Sequence, residues 1–379
     1  MTKTVQISTE EFAGRLAEIR RHMRASKVDV ALFDEIEAMT WICGYANSMN
    51  RWRCVIVPIE SDPFILIRAL DAEPCRQGTW IRDVYPYRDW EDPMPVLASL
   101  LAERGLSSAA MGLDYNSYGM SYYRLERLKS VLPGLRTVDL GQLANDLRLI
   151  KLPAEIELLR RASSIADEAM RRAAAACVVG GSQRDAARVA TAAYVELGSD
   201  LATHTLICPA IGADFIHGHF TDGPLSRGDV IHLELMPRVS GYSARLMRCV
   251  SVGEPSAKLA ATAEKLIAIQ DEQIAALRPG ALASKVDGIL REGVVRSGLR
   301  DSYDNITGYT LGHYLTQTPR SSDFTRTFHP GADWVVEEGM VFHIYASADQ
   351  VSMSETVAVG SNGPELLTQF PRRLIVNEA

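Results

Sequence analysis

The feature that most constrains the fold is a long amphipathic segment in the middle of the chain, LPAEIELLRRASSIADEAMRRAAAA, at residues 152–176. Pro153 suits the first turn of a helix. Apolar residues recur at helical spacing on one face: Ile156, Leu159, Ala162, Ala166 and Met170. We predict a long helix that opens a second domain. A chain of 379 residues is also too long for one ordinary core, so we expect domains at 1–150 and 151–379.

The residues before this helix alternate between two patterns. Helical spacing of apolar residues predicts helices at 12–25 and 94–104. Short apolar runs predict strands, which fall at 28–34, 54–59, 63–69 and 109–115. Because helices and strands alternate along the chain, we expect the amino-terminal domain to have an α/β fold.

The residues after the helix show a different pattern. Strand-like stretches at 229–236 and 248–253 surround a turn at Gly241. Helical patterns follow at 258–277 and 283–297. A late strand pair, MVFHIYA and SETVAVG, completes the pattern. We therefore expect an α+β fold for the second domain.

Composition narrows the classes of function and location. A net charge of −7 argues against a nucleic-acid partner, because phosphate binding needs a basic face. The six cysteines lack the paired C-x-x-C spacing of zinc or redox sites, so we expect small buried hydrophobic side chains. The amino terminus has no apolar signal region, and no segment approaches about 18 uninterrupted apolar residues. We expect a cytoplasmic protein without a membrane span.

Four blocks of sequence carry a family resemblance. LSRGDVIHLELMPRVSGYSARLMRCVSVG has a Gly-Asp pair at 228–229, a Gly-Tyr turn at 241–242 and a returning strand with Arg248. IHGHFTDGP precedes it, and GYTLGHYLTQTPR and EEGMVFHIYASADQVSMSETVAVGSNGPELLT follow. In this order the blocks resemble the pita-bread superfamily (creatinase/aminopeptidase, peptidase M24-like). The resemblance covers nearly the whole chain and implies a creatinase-type amino-terminal domain followed by a pita-bread catalytic domain.

The resemblance also implies where a metal centre would lie. In the metallopeptidase branch, two Asp, one His and two Glu residues hold a pair of metal ions. Those five places fall here on Glu234, Arg245, Tyr309, Tyr345 and Ser354. Only Glu234 suits a divalent cation, and Arg245 adds a fixed positive charge to a site that must attract cations. We expect no metal and no other cofactor.

The metal-free branch of the superfamily, which includes creatinase and ectoine hydrolase, is more similar. His217 in IHGHF matches the retained active-site histidine. Arg51 and Arg320 match the arginines with which creatinase holds its substrate's carboxylate. In that family Arg51 would come from the neighbouring subunit, so the resemblance implies a homodimer with a shared site.

Departures from creatinase point to a different substrate. The carboxylates with which creatinase grips a guanidinium are replaced by Met247 and Tyr345, which disfavours creatine itself. The pattern of ectoine hydrolase is closer, because it matches the residues Glu234, Tyr309, His343 and Glu355.

Each candidate also has a purely structural interpretation. Strand alternation puts Glu234 on one face with His232 and Met236, where it is catalytic or pairs with Arg245 or Arg248. His343 alternates with Tyr345 and is catalytic or a core histidine, and Tyr309 is catalytic or closes a core. Glu355 orients His343, holds a substrate nitrogen, or is a solvent-facing edge residue. Arg51 and Arg53 could also be solvated charges, and Arg245 neutralises Glu234 or clamps a second anionic group.

The predicted activity is hydrolysis of a C–N bond, of cyclic amidine, guanidino or amide type, in a small carboxylate-bearing substrate. His217 would act as acid and base and Glu234 as nucleophile or acid. Glu355, Tyr309 and His343 would hold the leaving nitrogen and the developing charge. The substrate-binding set is Arg51, Arg320, Arg245 and Tyr345. Three alternatives stay open: a lyase or decarboxylase, a metal-dependent Xaa-Pro dipeptidase, and a catalytically inactive binding module.

Overall fold

The computed structural model describes residues 7–45, 50–200, 205–315, 318 and 322–377. The chain divides into two compact units, Met1–Arg148 with Leu315–Ser321 and Leu149–Tyr314 with Ser322–Ala379. We call them unit 1 and unit 2. Across the described residues, no helix combines the length and the apolar character that crossing a bilayer requires.

Unit 1 is built around one mixed sheet with strand order β4-β3-β2-β1-β5-β6. In chain order its elements are α1 (Thr9–Ala25), β1 (Val30–Phe33), α2 (Ile36–Cys43), β2 (Cys54–Pro58), β3 (Phe64–Arg68), α3 (Ala69–Gly78), β4 (Asp83–Tyr87), α4 (Pro93–Glu103), β5 (Ala110–Leu113), α5 (Tyr122–Val131), β6 (Arg136–Asp139) and α6 (Leu143–Leu147).

The central strands of unit 1 are buried on both faces. In β1, Ala31 packs in one apolar cluster with Ile19 of α1, whereas Leu32 packs in a second cluster with Leu97 of α4. Burial on both faces explains why β1, β2 and β3 read as continuous apolar runs rather than as alternating ones. The α/β prediction is confirmed, and each predicted helix and strand of this half is present to within a few residues.

The described residues of unit 2 form two helix pairs and two main sheets. Its elements are α7 (Pro153–Ala176), α8 (Gln183–Leu197), β7 (Thr205–Pro209), β8 (Val230–Leu235), β9 (Arg238–Val239), β10 (Tyr242–Ser243), β11 (Leu246–Val252), α9 (Ala257–Ala275), α10 (Ala283–Arg296), β12 (Gly308–Thr310), β13 (Thr327–Phe328), β14 (Val341–Ala348), β15 (Val351–Gly360), β16 (Gly363–Leu366) and β17 (Ile375–Asn377). The sheets have orders β17-β11-β8-β7 and β13-β12-β14-β15-β16, and a 3₁₀ turn spans Ser322–Phe324. The α+β prediction is confirmed.

The long helix α7 begins at Pro153, as predicted. Four residues of its predicted apolar face are buried: Leu159, Ala162, Ala166 and Met170. The fifth, Ile156, is half-buried, and Leu158 and Ile165 are buried in addition to the predicted face. All six cysteines of the chain are free and buried, which confirms the expectation that they act as small apolar side chains.

Candidate active site

Strand register in unit 2 brings several predicted residues onto shared faces. In the antiparallel pair β12 and β14, Tyr309 lies opposite His343, and Tyr345 follows two residues along the same face. Thr356 of β15 also lies opposite His343, and its hydroxyl accepts a hydrogen bond from the backbone N–H of Arg245 at 2.9 Å. This bond ties the start of β11 to the β14–β15 hairpin, and so links the two sheets.

The turn before Arg245 requires glycine. Gly241 has a φ of +81°, and a side chain at this position would run into the ring of His313. Asp200 accepts hydrogen bonds from the backbone N–H groups of Ser240 at 2.8 Å and Gly241 at 2.6 Å. The turn therefore has a fixed shape, which sets the point where Arg245 leaves it.

Arg245 lies between two buried carboxylates. Its Nη2 donates to Oδ2 of Asp323 at 2.8 Å, and its Nη1 lies 3.5 Å from Oε1 of Glu234. Asp323 is 1% exposed and Glu234 is 2% exposed. Burial raises the pKa of Glu234, and the neighbouring Arg245 and His217 oppose this rise. The geometry favours the interpretation in which Arg245 neutralises Glu234.

Aromatic rings form a wall around this charged group. The guanidinium of Arg245 lies 5.4 Å from the ring centroid of Tyr309 and 5.1 Å from that of Tyr314. His343 stacks on Tyr345 with centroids 5.2 Å apart and meets the ring of Tyr309 edge-on at 5.0 Å. Burial, helped by the charge of Arg245, lowers the pKa of His343 well below its ordinary range. His343 is therefore a neutral imidazole here, which can donate or accept a hydrogen bond but does not act as a cation.

His217 lies on the loop between β7 and β8 and is exposed within the chain. The loop is anchored by Phe215, whose carbonyl accepts from the Cys208 thiol at 3.2 Å and from the backbone N–H of Gly218 at 2.8 Å. The ring of Phe215 also packs edge-on against His232, at 5.5 Å. His217 interacts electrostatically with Glu234, where it opposes the rise in pKa that burial causes. The structure thus brings His217, Glu234, Tyr309 and Tyr345 into one neighbourhood with Arg245 and His343.

Glu355 lies elsewhere, because the register puts it opposite Ile344 and so on the other face of the sheet from His343 and Tyr345. Its carboxylate accepts from Arg248 at 2.7 Å and from Arg372 at 2.8 Å, and also from the hydroxyl of Thr368. Glu355 therefore does not orient His343, and it is not a solvent-facing edge residue, since it is fully buried.

Because Arg248 is also fully buried, we expect Glu355→Gln to lower the free energy of unfolding by about 3–5 kcal/mol, as removal of one partner of a buried ion pair does. The measurement is urea unfolding. The matched control is Glu365→Gln on β16, which removes an exposed pair with Arg160 and should cost no more than about 1 kcal/mol. A variant of normal stability that lost turnover would instead restore the catalytic role predicted from the sequence.

Of the two arginines predicted to bind the substrate's carboxylate, one lies among the described residues and one does not. Arg320 lies outside the described residues. Arg51 is exposed in unit 1, just before β2. Its neighbour Arg53 is 4% exposed, so Arg53 is not a solvated charge as the sequence suggested.

Sequence reasoning missed three residues of the site. Asp323 and Phe324 come from the 3₁₀ turn after β12, and Tyr314 follows the same strand. A weak signal for Asp323 was its position shortly after the TPR block, but nothing local marked it as buried. Within the described residues, no three His, Cys, Asp or Glu side chains are grouped so that they could hold a metal ion.

Comparisons with known proteins place the chain in a family. Residues 157–360 match the metallopeptidase family M24, and residues 15–150 match the creatinase/prolidase N-terminal domain. Among curated proteins, the ectoine hydrolase of Halomonas elongata is 25% identical, with 98% of this chain and 99% of that protein covered. The Xaa-Pro dipeptidase of Pyrococcus furiosus is 28% identical over 68% of this chain and 73% of that protein.

Solved structures agree on the fold. The prolidase from Thermococcus sibiricus superposes with a TM-score of 0.83 at 20% identity, over 98% of this chain and all of that one. At this identity the likeness speaks for the fold alone, which is the pita-bread fold that the sequence blocks predicted. With both family matches, it follows that the chain is a hydrolase of the M24 family with a creatinase-type amino-terminal domain.

Proposed function

We propose that this hydrolase acts without a metal ion and cleaves a C–N bond in a small carboxylate-bearing substrate, as an ectoine hydrolase or creatinase does. The observation that carries the proposal is the guanidinium of Arg245, 2.8 Å from Asp323 and 3.5 Å from Glu234. A fixed cation already compensates the buried acids at this point.

The donor set around Arg245 does not suit a pair of divalent ions. Such ions need several oxygen or nitrogen ligands each, and the remaining family places are Tyr309, Tyr345 and Ser354. The hydroxyl of Ser354 already accepts a hydrogen bond from the backbone N–H of Met247 at 2.8 Å. A cation between Glu234 and Asp323 would also repel an incoming metal ion.

In the proposed mechanism His217 takes a proton from water, and the resulting hydroxide attacks the carbon of the C–N bond. The imidazolium of His217 then returns the proton to the leaving nitrogen. Glu234 either stabilises a cationic amidine carbon as an anion or, with its raised pKa, donates a proton as an acid. Tyr309, Tyr345 and the neutral His343 supply hydrogen-bonding groups for charge that develops during the reaction.

Substrate anchoring is assigned to arginines by the family resemblance. Arg320 and Arg51 would hold the carboxylate through two-pronged contacts, and Arg51 would come from the partner in a homodimer. Holding the substrate at its carboxylate would place the C–N bond near His217 and Glu234, and such positioning lowers a barrier substantially.

A second candidate is an Xaa-Pro dipeptidase, because the similar proteins include one from Pyrococcus furiosus. That activity would require metal ligands where this chain has Arg245, Tyr309 and Tyr345. The two candidates therefore differ in their response to a chelator.

A substrate panel in ¹⁸O-labelled water separates the possibilities. The purified protein would be incubated with ectoine, creatine, other cyclic amidines, N-carbamoyl amino acids and Xaa-Pro dipeptides, each with EDTA and with added manganese. We expect one C–N substrate to be cleaved in EDTA, with ¹⁸O in the product. Cleavage of Xaa-Pro peptides only with manganese would favour the dipeptidase, and a product without ¹⁸O would indicate elimination.

A further inference from the structure

Arg245 makes the shorter of its two ionic contacts with the buried carboxylate of Asp323. The bond from Nη2 to Oδ2 of Asp323 is 2.8 Å long, whereas Nη1 and Oε1 of Glu234 are 3.5 Å apart. A separation of 2.8 Å is that of a charge-assisted hydrogen bond, and 3.5 Å is too long for a strong one. Arg245 is thus drawn toward Asp323 and stands back from Glu234.

The position of Asp323 is set by its backbone. The hydroxyl of Thr310 donates to the carbonyl of Asp323 at 3.0 Å and accepts from the N–H of Arg326 at 3.3 Å. The next residue, Phe324, packs its ring 5.0 Å from Tyr309 on β12. These contacts fix the turn to β12, so the carboxylate of Asp323 has a set distance from Arg245.

Without Asp323, the guanidinium of Arg245 would have Glu234 as its remaining carboxylate partner among the described residues. Rings of Tyr309 and Tyr314 flank it, and its Nη1 donates to Sδ of Met236 at 3.1 Å. Among the described residues, the ion pairs of Arg245 within 4 Å are with Asp323 and Glu234. If Asp323 lost its charge, the guanidinium would be expected to close on Glu234 and form a two-pronged pair with both of its oxygens.

We propose that Asp323 is a positioning residue that holds Arg245 back from Glu234, and so keeps the Glu234 carboxylate available to the reacting group. Arg245 stays near enough to compensate the charge of Glu234 but does not occupy its oxygens. The catalytic meaning of this arrangement rests on the proposed function, whereas the arrangement itself does not.

The first test is structural and needs no substrate. Crystal structures of the wild type and Asp323→Asn would be compared at the Arg245–Glu234 contact. We expect the separation of 3.5 Å to shorten to about 2.8–2.9 Å in the variant, the length of a charge-assisted hydrogen bond. An unchanged separation would overturn the inference, whatever the enzyme's activity.

The second test is kinetic and uses whichever substrate the panel identifies. For Asp323→Asn we expect kcat to fall roughly 10- to 100-fold with KM little changed, because a misplaced reacting group slows chemistry more than binding. A raised KM at normal kcat would contradict a positioning role. If no panel compound is turned over, the proposed function fails, and the crystal structures alone decide the inference.

Matched variants guard against a simple loss of stability. Asp287→Asn on α10 removes a fully buried acid paired with Arg291 at 2.7 Å, so it should lower stability without changing kcat. If Asp323→Asn does not fold, Thr310→Val replaces it, since losing the hydroxyl loosens the same turn. We expect Thr310→Val to shorten the Arg245–Glu234 separation and to lower kcat, each by less than Asp323→Asn would.

Discussion

Replacing His217 with alanine is expected to lower kcat about 10²- to 10⁴-fold, the range that general acid–base catalysis supplies. In the proposed mechanism His217 both activates water and protonates the leaving nitrogen, so one substitution removes two proton transfers. His217 is exposed on its loop, and the free energy of unfolding should therefore change by no more than about 0.5 kcal/mol. Steady-state kinetics and urea unfolding measure the two quantities.

The matched control for His217 is His219→Ala. Both histidines are exposed on the same loop, but the proposed mechanism gives His219 no role, so His219→Ala should retain turnover. Full activity in His217→Ala, or an equal loss in both variants, would contradict the assignment of His217 as acid and base.

Replacing Glu234 with glutamine should also remove most turnover, by about 10²-fold or more in kcat, since an amide neither stabilises a cationic carbon as an anion nor donates a proton as an acid. Arg245 keeps its bond to Asp323 in this variant, so no buried charge is left without a partner. Glu155→Gln, which changes a buried carboxylate on α7, is the control that should retain turnover. Normal turnover in Glu234→Gln would exclude a chemical role for this carboxyl group.

The stability of the Glu234→Gln variant should depend on pH differently from that of the wild type. Burial raises the pKa of Glu234 above its ordinary value, so the folded protein holds this proton more tightly than the unfolded chain. The stabilisation of the folded state that results is fully present below the ordinary pKa of a glutamate. It is lost as the pH rises through the raised pKa of Glu234 in the folded protein. Glutamine does not titrate. The free energy of unfolding of Glu234→Gln minus that of the wild type should therefore increase as the pH rises above about 4.3, the ordinary pKa of a glutamate side chain.

Elements with a strong apolar pattern could be predicted from the sequence, and elements without one could not. The sequence predicts the helix α7 because its apolar residues keep a helical spacing over a long segment. It predicts the strand pair β14 and β15 because their apolar runs are long. The helix α8 was missed, although Ser182 caps it, Asp185 completes the capping box and Gly198 ends it. The short strands β12 and β13 depend on partners distant in the chain, and no local pattern marks them.

The site residues could be predicted where strand alternation determines which face of the sheet a side chain occupies. Alternation correctly put His343 and Tyr345 on one face, and the family places drew attention to Glu234, Arg245 and Tyr309. Glu355 was grouped with them because it matches the ectoine hydrolase pattern. Its register opposite Ile344 sends it to the other face, where it pairs with Arg248. Asp323 was missed because its burial depends on a turn packing against β12.

The most direct test of the account is metal content measured together with activity. Protein dialysed against a chelator would be analysed by mass spectrometry for zinc, manganese, cobalt and iron, and its turnover measured in EDTA with the substrate found in the panel. We expect substoichiometric metal and undiminished turnover. One or two equivalents of metal bound near Glu234, with turnover lost in EDTA and restored by that metal, would contradict it.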